Sequence, residues 1–168
     1  MSDYTTYLDK LRAGCADVNP FLDFMEIRRE EIAEGYARFR MPVRPYYIQG
    51  AGLMQGGVMV AMADETIAHA IMPLLKGNED LTTVELKSNF LAPVKEGELV
   101  AEATVFKRGK TIIIGDCHVK DDQERPVLRC TATFLVTPGK AKSPGNHQDP
   151  AAAGTVRRRE DERQTNLF

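Results

Sequence analysis

The sequence predicts an α+β fold in which a long antiparallel sheet wraps around one central hydrophobic helix. Three observations lead to this prediction: a stretch at residues 58–72 whose apolar residues cover nearly the whole circumference of a helix, four strand-like runs downstream of it, and short polar connections between those runs. A helix that is apolar over its whole circumference has to be surrounded by protein. Short connections favour antiparallel pairing, because parallel strands need long crossovers. One such helix and one such sheet make an α+β domain.

The composition is that of one ordinary globular domain. The chain has 168 residues, of which 43% are hydrophobic and 27% charged, enough for a single core. The formal net charge of -2 gives no overall field toward nucleic acid or an anionic membrane, so neither is expected as a partner. Three dispersed cysteines without metal-ligand spacing predict free thiols in a reducing cytoplasm and no metal site. The N-terminus lacks the features of a signal peptide, which also favours the cytoplasm.

The longest apolar stretch, Leu53–Leu75, approaches the length of a membrane span. Asp64, Glu65 and His69 lie in its middle, where charged groups in lipid are costly. We therefore interpret the stretch as a buried helix of a soluble protein.

The domain is expected to carry an extension at each end. Apolar residues at helical spacing predict a short amphipathic helix in an N-terminal extension, residues 1–19. The domain itself is predicted at residues 20–139. Beyond it the composition changes to Lys, Ser, Pro, Gly, Asn and Gln, which predicts a disordered tail at residues 140–168.

The first elements of the domain follow from periodicity and turn residues. Alternating apolar and charged residues at 24–28 and 36–40 predict two paired strands with a polar connection between them. Repeated Pro and Gly between 41 and 57 predict a loop that ends at a helix N-terminus. The helix is expected to run to about Met72, where Pro73 helps to end it.

The downstream runs are predicted to be strands because Val, Ile, Thr and Phe dominate them. The connections between them are short and polar, which predicts an antiparallel meander. The four runs are residues 82–91, 98–107, 111–120 and 126–137.

The segment that leads into the helix contains a possible carbonyl-binding group. Gly56 and Gly57 leave backbone N–H groups at the helix start uncovered by side chains, and the helix dipole adds positive potential there. A carbonyl oxygen that gains negative charge could bind at this point. Glycine before a helix can also serve only as a turn device.

A carboxylate follows two turns later. Asp64 has apolar neighbours on the helix, and burial raises the pKa of a carboxyl, which suits a residue that takes a proton from water or attacks carbon itself. Asp64 could instead pair with a strand or a partner chain and do no chemistry. Glu65 is a rival, because periodicity does not decide which of two adjacent residues faces a substrate. Glu65 and His69, four residues apart, could form no more than a helix-surface pair.

Two motifs together resemble the hotdog-fold acyl-CoA thioesterases of the phenylacetate-pathway type, the PaaI-like family. The usual pattern there is Asn or Gln, five residues, His-Gly-Gly, and then a helix reading roughly Leu-Ala-Asp. Gln49, the Gly56–Gly57 pair and Asp64 match this pattern. The segment Thr83–Val94 resembles the family's second hallmark, a strand. The resemblance covers about residues 20–137 and implies the hotdog fold.

The resemblance implies hydrolysis of an acyl- or arylacyl-CoA thioester to the free acid and CoA. It makes Asp64 the base or nucleophile, with Thr83 as a polar helper nearby. It implies that the Gly56 N–H polarises the thioester carbonyl. It also implies that Gln49 helps to hold the carbonyl or the water. Gln55 stands where the family has histidine. Glutamine can still hydrogen-bond but cannot titrate, so either the histidine's role is structural or the activity of this protein is reduced. No cofactor is expected, because coenzyme A is part of the substrate.

Helix geometry adds a requirement for a second chain. Gly56 and Asp64 are eight residues apart, hence ~12 Å along one helix axis. Since both cannot reach one carbonyl carbon, each site is predicted to combine Gly56 of one chain with Asp64 of another. Self-association is expected as a homodimer, with a dimer of dimers as the larger assembly.

Cations are expected near the phosphates of coenzyme A, and Gly57 is expected beside the substrate. Lys107, Arg108 and Lys110 form one basic turn, and Lys87 is a further candidate. The same charges could simply be solvated.

Two other functions are open at this point. Asp64 and His69 have the separation of the catalytic pair in hotdog hydratases, but five residues turn a helix by ~500° and leave the side chains ~140° apart. A non-catalytic module for an acyl-CoA or an aromatic ligand would keep the fold while Gln55 replaces the histidine.

Overall fold

The computed structural model describes residues 4–15 and 18–139, and the tail predicted at 140–168 lies outside the described residues. The described part forms three α-helices and six strands, with short 3-10 turns at Pro45–Tyr47 and Met72–Leu74. The elements are α1 Tyr4–Arg12, α2 Pro20–Phe24, β1 Arg28–Ala33, β2 Tyr36–Pro42, α3 Gly56–Ile71, β3 Glu79–Phe90, β4 Glu98–Arg108, β5 Ile112–Asp121 and β6 Pro126–Pro138. The α+β prediction is confirmed.

The six strands form one antiparallel sheet in the order β1-β2-β4-β5-β6-β3. The strands β4, β5 and β6 follow one another as a meander, as predicted. The strand β3 departs from it, since it pairs with β6 at the far edge of the sheet. The connection at residues 91–97 can span ~23 Å, more than the ~14 Å across two intervening strands. Two strands joined by a short connection therefore need not be neighbours in the sheet.

The prediction of a strand at residues 24–28 is wrong. Asn19 caps α2 by accepting hydrogen bonds from the N–H groups of Phe21 and Leu22 at 3.1 and 3.2 Å, and Pro20 suits the first helical position. The strand β1 begins only at Arg28 and occupies most of the segment predicted as a connection. Its position explains the misleading pattern, because an edge strand can carry charged residues throughout.

Ion pairs on the outer face of the sheet link β1 to β2 and β2 to β4. Glu30 accepts hydrogen bonds from Arg38 at 2.7 Å and from Arg40 at 2.6 Å. The same arginines also pair with Glu102 and Glu98 on β4. These opposite charges on adjacent strands favour the observed register.

The helix α3 packs on the inner face of the sheet and forms the centre of the core. Its fully buried residues include Met62, Ala63, Ile67, Ala70 and Ile71, and α1 adds the buried Leu8 and Leu11. One stripe of α3 stays partly exposed in the described part of the chain, contrary to the expected wrapping on all sides. The stripe comprises Gly57, Val60, Ala61, Asp64 and Ala68.

None of the helices in the described ranges combines the length and apolar character that crossing a membrane requires.

Candidate active site

Asp64 lies on the partly exposed stripe of α3 and faces β3. The hydroxyl of Thr83 donates to its carboxylate, at 3.1 Å to Oδ1 and 3.4 Å to Oδ2. Burial raises the pKa of Asp64, and the hydrogen bond from Thr83 partly offsets this rise. Within the described ranges, no cation pairs with the carboxylate. A carboxylate with one neutral donor and a raised pKa is suited to accepting a proton or attacking an electrophile.

Gly56 is the first residue of α3, and Gln55 is its N-cap. The Gly56 N–H donates to Oε1 of Gln55 at 3.0 Å, so the group expected to bind a carbonyl has an internal acceptor. The ring of Phe90 covers the same residue, because a Cβ at Gly56 would lie 2.8 and 2.9 Å from two ring carbons. A side chain at position 56 would therefore require the ring of Phe90 to move. Gly57 beside it is exposed.

Gln49 lies in the loop before α3 and shapes a turn there. Its Oε1 accepts a hydrogen bond from the N–H of Ala51 at 2.6 Å, and its backbone bonds to Leu53 and Gly52 at 2.8 Å. An amide whose oxygen is engaged can still donate through its nitrogen. Gln49 can therefore donate a hydrogen bond to a substrate carbonyl or to water.

Glu65 belongs to a closed hydrogen-bond network on another side of α3. Asn19 Nδ2 donates to Glu65 Oε2 at 3.4 Å and to Tyr7 Oη at 3.0 Å. Tyr7 Oη lies 2.8 Å from His69 Nε2, and His69 Nδ1 lies 2.7 Å from the carbonyl oxygen of Glu65. These contacts assign the proton to Nδ1 of a neutral imidazole and the role of donor to the Tyr7 hydroxyl. Every polar group of His69 is thereby satisfied within one chain.

Glu65 and His69 do form a pair, but the prediction that it lies on the helix surface is wrong. His69 Nδ1 and Glu65 Oε2 are 3.6 Å apart, but His69 is 0% exposed. Burial lowers the pKa of His69 to about 4, so the ring is neutral near pH 7. The ring packs against Phe39, with centroids 5.0 Å apart. This surrounding of core residues leaves His69 no access to a substrate beside Asp64, which disfavours the hydratase alternative.

Two participants of this network, Tyr7 and Asn19, were missed by sequence reasoning. The helical spacing in the N-terminal extension predicts an amphipathic helix and no polar contact with α3. The Asn19–Pro20 pair is, however, a helix-start signature, with a capping residue followed by proline at the first helical position. Nothing in the local sequence indicates that the same Asn19 side chain also reaches Glu65 and Tyr7.

The candidate cations for coenzyme A are spread over two surfaces. Arg108 donates to Glu79 on β3 at 2.9 Å, while Lys107 and Lys110 are exposed in the same turn. Lys87 pairs in register with Thr131, on the face of the sheet opposite to α3. The structure therefore does not bring Lys87 together with Asp64.

The chain is similar to proteins of one family in both sequence and structure. A family model described as the thioesterase superfamily matches residues 51–128, a range that includes Gly56, Asp64 and Thr83. The protein named "Putative esterase SSO1253" from Saccharolobus solfataricus is 30% identical over 114 residues, which are 68% of this chain and 75% of that protein.

Solved structures also resemble this chain. A thioesterase family protein from Silicibacter pomeroyi has a TM-score of 0.70 and 27% identity, covering 79% of this chain and 99% of its own. A glutamine-to-alanine variant of thioesterase PA1618 from Pseudomonas aeruginosa has a TM-score of 0.70 and 24% identity over 78% of this chain and 94% of its own, a likeness of fold.

Proposed function

Since the chain belongs to the thioesterase superfamily and is a thioester hydrolase, we propose that it hydrolyses acyl-CoA or arylacyl-CoA thioesters to the free acid and coenzyme A. The observation that carries the proposal is the state of Asp64. This carboxylate is half-buried, has a raised pKa and accepts hydrogen bonds only from the hydroxyl of Thr83 in the described part of the chain. Because no salt bridge lowers its pKa, such a carboxylate stays basic enough to accept a proton.

Asp64 acts as the base that takes a proton from the attacking water, or as the nucleophile that attacks the carbonyl carbon. In both roles the carboxylate has to be ionised, so hydrolysis is lost as the pH falls through the raised pKa of Asp64. Thr83 holds the carboxylate in one orientation by its hydrogen bond. The Gly56 N–H, at the positive end of α3, stabilises the negative charge that develops on the carbonyl oxygen.

One chain supplies only half of this site. Gly56 and Asp64 lie on the uninterrupted helix α3, separated by ~12 Å along its axis. Within the described ranges, no strand pairs with the outer edge of β3. This edge strand has 12 residues, and its Val84 and Phe90 are 54% and 57% exposed. A long, partly apolar open edge is a template for pairing with another chain.

The contacts of β3 with α3 indicate how two chains would combine. Thr83 contacts Asp64 and Phe90 contacts Gly56, so β3 runs antiparallel to α3. If two copies pair their β3 edges antiparallel, with a two-fold axis near Leu86, Thr83 of one chain comes close to Phe90 of the other. That arrangement brings Asp64 of one chain toward Gly56 of its partner, as a shared site requires.

The first experiment measures release of free coenzyme A from a panel of short, long and aromatic acyl-CoAs with a thiol-reactive dye. We expect turnover of at least one class and loss of turnover in Asp64→Asn. Binding of the panel without thiol release would favour the non-catalytic module instead.

A second experiment tests the shared site with mixed dimers. One chain carries Asp64→Asn, and the other carries Gly56→Pro, which removes the N–H. Because a side chain at position 56 would meet the ring of Phe90, both chains also carry Phe90→Ala, and the Phe90→Ala homodimer is the matched control.

Each parent homodimer should be inactive, while the mixed dimer keeps one site with intact Gly56 and Asp64. Activity should therefore reappear at up to about half that of the Phe90→Ala control. Folded mixed dimers without hydrolysis, beside an active control, would contradict the shared site.

The proposed location is the cytoplasm. Cys15, Cys117 and Cys130 are all free thiols, although Cys15 is exposed. Free cysteines are typical of reducing compartments.

A further inference from the structure

We propose that the side chain of Gln55 is a displaceable cap on the carbonyl-binding N–H of Gly56, and that a thioester carbonyl must displace it to bind. This inference rests on the proposed function, because the Gly56 N–H matters to catalysis only if it polarises the substrate carbonyl. It assigns Gln55 a role opposite to that of a catalytic helper. The residue competes with the substrate for one donor.

The backbone of Gln55 is held in place while its side chain is exposed. Its N–H donates to the carbonyl oxygen of Tyr47 at 2.8 Å, and its own carbonyl accepts from the N–H of Val58 at 3.0 Å. The side chain then bends toward the following residue, and Oε1 accepts from the Gly56 N–H at 3.0 Å. An N-cap side chain more often accepts from the second or third residue of the helix. In this chain the Gln55 side chain occupies the Gly56 N–H, the group that the proposed reaction needs.

Phe90 restricts where a substrate carbonyl can approach. Its ring lies against Gly56, close enough that an added Cβ would be 2.8 Å from a ring carbon. The ring and the Gln55 amide therefore both lie beside the first residue of α3. The ring belongs to a strand that is hydrogen-bonded to β6, with Phe90 opposite Leu128, whereas the Gln55 side chain is bound by a single contact. Because this one contact holds the Gln55 amide, the amide can move away and leave the Gly56 N–H free.

The size of the effect follows from that single contact. A neutral hydrogen bond at an exposed position contributes a net factor of about two to ten in an equilibrium constant. Removing the cap should improve carbonyl binding by this factor. A carboxylate at the same position should hold the N–H more strongly, because a charge-assisted hydrogen bond is roughly twice as strong as a neutral one. It would also repel the developing oxyanion.

The test compares Gln55→Ala with Gln55→Glu in the full-length protein. We expect kcat/KM for a substrate of the panel to rise about two- to tenfold in Gln55→Ala and to fall by at least a similar factor in Gln55→Glu. Thermal unfolding of both variants checks that the exposed substitutions preserve the fold. An unchanged or lower kcat/KM in a folded Gln55→Ala protein would overturn the proposal, the lower value by showing that Gln55 assists the reaction.

A binding measurement separates this inference from the proposed function. The probe is an acyl-CoA analogue in which a methylene replaces the sulfur, which keeps the carbonyl but cannot be hydrolysed. Its Kd should fall about two- to tenfold in Gln55→Ala, whereas the Kd of an alkyl-CoA thioether without a carbonyl should not change. Equal shifts for both probes, or none for the ketone, would contradict the cap. Failure of the wild-type protein to hydrolyse any acyl-CoA would contradict the proposed function alone.

Discussion

Around Glu65 the central helix is covered by side chains of its own chain, whereas around Asp64 it faces β3, a strand with an open edge. Glu65 is linked to Asn19, and His69 completes the network through Tyr7. Asp64 has one hydroxyl donor from that strand. The two carboxylates are adjacent in the sequence, but Glu65 belongs to a hydrogen-bond network with the N-terminal segment, whereas Asp64 lies beside the open edge strand β3.

The pKa shifts do not distinguish these two regions. Burial is the largest cause for both residues and raises the pKa of Asp64 and the pKa of Glu65. What differs is the connectivity of each group. Glu65 connects the N-terminal segment to α3, while Asp64, beside an open edge, can meet a substrate or a second chain.

Substitution of the two carboxylates should give the largest contrast. Asp64→Asn should lower kcat at least ~10²-fold with little change in Tm, because removal of a general base commonly costs 10²–10⁴. Glu65→Gln should leave kcat within a few-fold of the wild-type value. Steady-state thiol release and thermal unfolding measure both quantities. The reverse result, with Glu65→Gln inactive and Asp64→Asn active, would place the chemistry in the closed network.

The pH dependence of stability should sharpen the comparison next. His69 has a folded pKa of about 4, below its ordinary value of 6.5, so the unfolded chain binds a proton on this ring before the folded chain does. The contribution of neutral His69 is present above pH 6.5 and is lost as the pH falls toward 4. The loss is on the order of 3 kcal/mol, at 1.36 kcal/mol per pKa unit.

Chemical denaturation between pH 4 and 8 measures this loss. The raised pKa values of Asp64 and Glu65 change stability with pH in the opposite direction. The comparison is therefore made with His69→Gln, which keeps hydrogen-bonding groups but cannot titrate. The slope of stability against pH should be smaller in the variant. Parallel curves for the two proteins would show that His69 does not cause the acid sensitivity.

Removal of one hydroxyl should affect the closed network alone. Tyr7→Phe leaves His69 Nε2 without its donor, which should lower the free energy of unfolding by about 1–3 kcal/mol. Turnover per folded molecule should stay near the wild-type value at 25 °C. Reduced turnover without lower stability would instead connect the network to catalysis.

The smallest effect is expected from the matching deletion at the open region. Thr83→Val removes the hydroxyl that orients Asp64 at an exposed position, so kcat should fall about three- to tenfold while stability changes by less than about 0.5 kcal/mol. Thr83→Ser keeps the hydroxyl and is the matched control. A loss in Thr83→Ser with none in Thr83→Val would show that the methyl group, not the hydrogen bond, is what matters.

Patterns within a short segment predicted several elements correctly. The loop rich in Gly and Pro, the helix start at Gly56 and its end before Pro73 follow from backbone preferences of those residues. The runs that became β4, β5 and β6 follow from β-branched composition and short turns. Helix geometry alone also separates Gly56 from Asp64 by ~12 Å.

Contacts between distant parts of the chain decided the rest. Helical periodicity sets Asp64 and Glu65 ~100° apart, but it contains no information on what covers either direction. Asn19 and Tyr7 reach one side of α3 from the N-terminal segment, and Thr83 reaches the other from β3. The sequence by itself determined where the helix begins, where it ends and which polar groups it carries. Only the tertiary structure decided which carboxylate bonds to the N-terminal segment and which lies beside the open edge of β3, because that depends on segments that approach through space.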